Sequence, residues 1–128
     1  MAKRLLIDTD VLIDYLRGQT EAVSYLEGLT EQTLISVVTV AEPYAGVREG
    51  AEREALDYFI AAFEIVPVDQ TIASMGGLNL RDYGKSHGVG LADAIIAATA
   101  EVRKADLVTL NKKHFPMLTN IIVPYQKA

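Results

Sequence analysis

What most constrains this chain is the alternation of short, unbroken apolar runs with longer stretches of helical periodicity. The runs at residues 4–7, 33–38, 65–68, 107–110 and 121–123 contain little polar interruption. A strand that is apolar on both faces must be covered on both, which is the condition of a parallel sheet sandwiched between helices. Helical patterns fill the gaps at 11–16, 21–29, onward through Arg48, 51–63, from Asp69 to about His87, and 91–104. Gly18 and Gly88 punctuate two of these ends, while Gly76-Gly77 weakens one interior. With right-handed crossovers the pattern predicts a three-layer α/β/α fold around a mainly parallel sheet of four to five strands.

The chain has 128 residues, no internal repeat and no linker-like tract, so the expectation is a single domain over 1–128. There is no cysteine, which removes disulfides, iron–sulfur clusters and thiolate zinc from consideration. The N-terminal apolar run Leu5-Leu6-Ile7 stops at Asp8, too soon for a signal sequence, and no uncharged run has membrane-spanning length. A soluble, cytoplasmic protein without a membrane partner is expected. The net charge of −5 argues against broad phosphate neutralisation as the basis of any nucleic-acid affinity.

Polar residues fall where strands hand over to helices. Asp8 and Asp10 follow the first strand, Glu42 opens the helix after the second, Asp93 opens the helix before the fourth, and Asn111 follows that strand. In a parallel sheet all of these positions belong to the carboxyl edge, where open α/β sheets bind ligands. Carboxylates gathered there repel one another unless a hard cation intervenes, and oxygen ligands suit Mg²⁺ or Mn²⁺. Each residue also has a plainer reading. Thr39 through Glu42 matches a capping box, Asp8 or Asp10 can cap a helix, and Asp93 can favour its helix dipole.

The segment from Leu5 through Asp14 resembles the opening of a PIN domain, particularly the toxin subunit of VapBC toxin–antitoxin pairs. The stretch from Ile35 to Glu42, ending at Gly46, resembles that family's second acidic motif; Leu91 to Ala100 resembles the third. Leu107 to Asn111 followed by Phe115 resembles the fourth. The resemblance implies a Mg²⁺- or Mn²⁺-dependent endoribonuclease, a homodimer inhibited by a small VapB-like antitoxin, and RNA as substrate. Carried over by position, Asp8, Glu42 and Asp93 are the acidic metal-binding core and Asn111 stands at the fourth catalytic position. Thr9 and Thr109 are supporting hydroxyls.

Two departures from the family pattern stand out. Asn111 replaces a frequent aspartate, which weighs against a second tightly held ion. Pro43 replaces a common leucine, and since proline is tolerated only in a helix's first turn, the helix carrying Glu42 is expected to start no earlier than Val40. Arg48, Lys112 and Lys113 are candidate RNA contacts near the edge, with Arg81 and Lys85 as possible neighbours and His114 beside the fourth motif. One rival is a phosphatase of the haloacid dehalogenase kind with Asp8 as nucleophile, since Asp8-Thr9-Asp10-Val11 fits its opening. The later acidic pair which that chemistry needs is missing. The other rival is a non-catalytic PIN-like interaction domain. Dinucleotide and P-loop readings fail, because Gly88-Val89-Gly90 lacks a third glycine and no Walker A lysine exists.

Overall fold

A computed structural model describes residues 3–126. Its centre is a five-stranded sheet of β1 (Arg4–Ile7), β2 (Gln32–Ser36), β3 (Glu64–Val66), β4 (Asp106–Val108) and β5 (Ile121–Ile122). The strand order is β3-β2-β1-β4-β5 and every neighbouring pair is parallel. The chain winds outward from β1 to β3 on one side, then crosses back to place β4 on the other flank of β1. The gap between β1 and β4 is therefore the topological switch point, the position at which such sheets leave a crevice.

Alternation along each strand divides the interior into two cores. Leu6, Leu34, Val66 and Leu107 face one way, onto α5 (Gln70–His87) and α6 (Leu91–Arg103). Leu5, Ile7, Ile35 and Val108 face the other way, onto α1 (Thr9–Leu16), α2 (Thr20–Glu27), α3 (Val37–Ala45) and α4 (Ala51–Ile60). Alanines 97, 98 and 100 are buried on α6, so that helix lies close against the sheet. At Gly76 of α5 an added Cβ would stand only 3.0 Å from the Ile95 side chain. The glycine pair that looked like a weak point is thus half explained by close helix contact. Gly88 ends α5 in the left-handed conformation, φ 65°.

The three-layer α/β/α arrangement expected from the sequence is present. Several boundaries differ, and the main correction concerns α3. It begins at Val37, directly after β2, and carries Pro43 inside it. Its cap is Ser36, whose Oγ accepts the Val38 N–H at 3.1 Å. Thr39 is therefore not the capping residue, and Glu42 lies beyond the first turn. Proline is accommodated because α3 ends at Ala45, so its missing N–H frees only the Thr39 carbonyl near the end of a short helix. Likewise α1 starts at Thr9 rather than Val11, capped by Asp8. Among the described residues no helix is long and apolar enough to cross a membrane.

Candidate active site

At the switch point the chain leaves β1 at Asp8, a buried residue that does two jobs. Oδ1 accepts the Thr9 N–H at 2.8 Å, which caps α1. Oδ2 accepts the Thr109 hydroxyl at 2.8 Å from the exit of β4. The backbones are joined as well, with Asp8 N–H donating to the Val108 carbonyl at 2.9 Å. Burial, reinforced by the nearby Asp10 charge, raises the Asp8 carboxyl from 3.8 to about 7. Burial also raises Asp10.

Asp93 reaches the same place from the first turn of α6. It is half-buried, its carboxyl raised by that burial and partly restored by His114 and by a hydrogen bond from the Gly90 backbone. Glu42 arrives from α3 and is exposed. Asp8, Glu42, Asp93 and Asn111 line a single cavity of about 240 Å³ whose remaining walls include Thr9, Asp10, Ile13 and Ile96. The carboxylates thus run from a dry floor to a wet rim. Among the described residues, no three carboxylate or imidazole groups are drawn tightly enough together to cage an ion by themselves.

The supporting hydroxyls are placed differently. Thr109 does not line the cavity but holds Asp8 from behind. Thr9 lines it and donates its hydroxyl to Thr39 Oγ1 at 3.1 Å, pinning α1 to α3 in a buried contact. Thr39 had only a capping role in the sequence, and nothing but tertiary register reveals its real one. His114 is likewise drawn in. Its Nδ1 stands 2.7 Å from Asn111 Nδ2 and 3.5 Å from Asp93 Oδ2, so it links the fourth position to the third. Its spacing of three residues from Asn111, across a single 3₁₀ turn (Lys112–His114), was the available signal.

The basic candidates stay outside. Lys112 and Lys113 are exposed in the turn that follows Asn111, and neither they nor Arg48 line the cavity. Arg48 stands 3.9 Å from Glu52, and Arg81 is paired with Asp82. Lys85 and His87 occupy the last turn of α5.

A sequence model of the PIN domain matches residues 5–117. The chain belongs to the PIN-domain family. This PIN domain is 40% identical over 124 residues to ribonuclease VapC10 of Mycobacterium tuberculosis, covering 94% of this chain and 92% of that one. It is 36% identical over 117 residues to ribonuclease VapC1 of Methanocaldococcus jannaschii, covering 90% and 81%. Among solved structures it resembles a toxin–antitoxin complex from Klebsiella pneumoniae, with a TM-score of 0.84 and 30% identity over 96% of this chain and 99% of that one. VapBC2 from Rickettsia felis, bound to a promoter DNA fragment, gives a TM-score of 0.71 and 26% identity over 93% and 96%. Membership of this family stands against the haloacid dehalogenase reading of the chain.

Proposed function

We propose that this PIN domain is a metal-dependent endoribonuclease of the VapC kind, the toxin half of a toxin–antitoxin pair. One observation carries the reading. Asp8, Glu42, Asp93 and Asn111, spread over most of the sequence, line one cavity at the switch point of a fold whose relatives are named ribonucleases.

The donor set fits Mg²⁺ or Mn²⁺, being made of carboxylate and amide oxygens with no sulfur. Such ions keep several waters and need only one or two direct carboxylates, which agrees with a cavity where three are present but not clenched together. Asp8 and Asp93 would hold the ion, with Glu42 reaching it directly or through water. A bound ion would supply Lewis acidity toward the phosphate and lower the pKa of the attacking water. Around it, Thr109 and the α1 terminus fix the Asp8 oxygens, and His114 and the Gly90 amide restrain Asp93. Asn111 adds an uncharged polar group beside the scissile phosphate. Lys112, Lys113 and Arg48 would meet flanking phosphates as a basic rim, which reconciles an acidic protein with a polyanionic substrate.

A VapB-like antitoxin is the partner we assign. Two adjoining apolar clefts run along α1 and α4, one of about 500 Å³ past Tyr15, Phe59 and Phe63, the other of about 410 Å³ past Ile13, Val47 and Leu56. They share Leu16 and Ala55, and an amphipathic partner helix would fill them. We also read the chain as a cytoplasmic homodimer, checked by light scattering of the purified protein.

The decisive experiment incubates the purified protein with RNA in Mg²⁺, in Mn²⁺ and in EDTA, beside Asp93→Ala. Cleavage in either ion, lost in EDTA and in the variant, is expected. Equal cleavage in EDTA, or full activity of a folded Asp93→Ala, would overturn the assignment.

A further inference from the structure

Asp10 has no place in the scheme above, yet its carboxylate is held on both sides. Oδ1 accepts the Val11 N–H at 2.8 Å, a bond within its own helix turn. Oδ2 accepts the Leu110 N–H at 3.0 Å, a bond across the switch point to a residue 100 positions away. Thr109 Oγ1 lies 3.4 Å from the same oxygen, but its proton is better directed at Asp8, at 2.8 Å. The Leu110 bond is special because of what surrounds it. Sheet pairing on this side ends with the Thr109 N–H, which donates to Ile122. Leu110 is the first amide past that pairing, and Asp10 is its acceptor.

Everything downstream hangs from this point. The Asn111 N–H turns back to Thr109 Oγ1 at 3.0 Å, and the following 3₁₀ turn presents His114 to both Asn111 and Asp93. A hydrogen-bonded arc thus runs from Asp8 through Thr109 and Asn111 to His114, whose ring stands 3.5 Å from Asp93. Thr109 is held by Asp8 and Ile122, and among the described residues Asp10 alone ties the Leu110 amide that comes next.

We propose that Asp10 is a positioning residue, a clasp through the Leu110 amide that fixes segment 109–114 against the exit of β1 and so places Asn111 and His114 beside Asp8 and Asp93. The functional part of this inference rests on the ribonuclease reading; the clasp itself does not. A charged acceptor holding an amide on an otherwise irregular segment restrains it more than a neutral one would.

The test compares the full-length parent with Asp10→Ala, Asp10→Asn and Asp8→Asn in three measurements: amide hydrogen exchange, Mn²⁺ binding and RNA cleavage. In Asp10→Ala the Leu110 and Asn111 amides should exchange faster by about tenfold or more, the factor expected when a bond to a charged acceptor is lost. Strand amides in β1 and β4 should be unchanged. Mn²⁺ should still bind with near-parental affinity, whereas Asp8→Asn should lose it. In Asp10→Ala, kcat should drop by roughly tenfold to a hundredfold with KM little altered, as misplacement of reacting groups requires. Asp10→Asn keeps a carbonyl oxygen for Leu110 and should recover most of the protection and most of the rate. Unchanged exchange at Leu110 in Asp10→Ala would overturn the clasp. So would loss of Mn²⁺ binding in Asp10→Asn as severe as in Asp8→Asn, which would make Asp10 a direct ligand. If Asp10→Ala does not fold, Asp10→Ser carries the same three readouts. A parent protein inert toward RNA would remove the nuclease reading while leaving exchange and Mn²⁺ binding to decide the clasp.

Discussion

The hydroxyl of Thr109 lies 2.8 Å from Oδ2 of Asp8, joining two strand exits 101 residues apart in sequence. It also accepts the Asn111 N–H, so one small side chain orients the buried carboxylate and the start of the next segment together. Thr109→Val keeps the shape and removes both functions. Leaving a buried carboxyl oxygen without its donor costs about 1–3 kcal/mol. We expect a clear fall in Tm and a large loss of RNA cleavage, with Thr109→Ser restoring much of both. Parental cleavage by the valine variant would show that Asp8 needs no such orientation.

The raised carboxyl of Asp8 makes stability depend on pH in a definite sense. With a folded value of about 7 against an ordinary 3.8, the folded protein holds a proton that the unfolded chain has already released. Stability therefore declines as pH rises through that interval. Asp8→Asn removes the liability. Its Oδ1 can still accept the Thr9 N–H, while its Nδ2 can donate to Thr109, whose own proton can turn toward Asp10. In EDTA, the Tm advantage of Asp8→Asn over the parent should widen from about pH 4 to about pH 7, and added Mn²⁺ should raise the parent's Tm alone. A difference that is flat across this range would contradict the burial argument.

The buried pair Thr9 and Thr39 offers a double-mutant cycle. Thr9→Val leaves the Thr39 hydroxyl facing a methyl group, at a cost of about 1–3 kcal/mol. For a domain of this size that is roughly 4 °C or more in Tm. Replacing both threonines by valine should recover much of the loss, because no polar group is then stranded. Strict additivity in thermal melts would mean the two hydroxyls are not coupled.

Adjacent glycines in α5 should respond in opposite directions. Gly76→Ala forces a Cβ to within 3.0 Å of the Ile95 side chain and 3.3 Å of its Cα, whereas Gly77→Ala meets nothing within 4 Å. The first should destabilise by about 1–3 kcal/mol through overpacking. The second should stabilise by about 0.5–1 kcal/mol through helix propensity. Chemical denaturation of the two variants distinguishes them, and equal midpoints would refute the packing account.

Much of this was legible in the residues themselves. Unbroken runs such as Leu5-Leu6-Ile7 announce strands covered on both faces, and the short run ending at Asp8 marks its strand's carboxyl end. That placement is enough to send Asp8, Glu42, Asp93 and Asn111 to one edge, where they share a cavity. The start of α3 at Val37 is hidden in the sequence because Pro43 is a strong local signal while the Ser36 cap, directly abutting β2, is a quiet one. The partnership of Thr9 with Thr39, and that of His114 with Asn111 and Asp93, depend on how helices sit over the sheet. Local pattern carries no such information. Nor does an apolar run disclose its neighbours; that β4 lies beside β1 is a property of the crossover.

That same neighbour relation has a temporal side. A ribosome makes β1 about a hundred residues before β4, at roughly 5–20 residues per second. Until then Asp8 has neither the Thr109 hydroxyl nor the His114-linked Asp93 opposite it. The cavity that Asp8 shares with Asn111 therefore cannot form until the segment that follows β4 has emerged and closed the sheet.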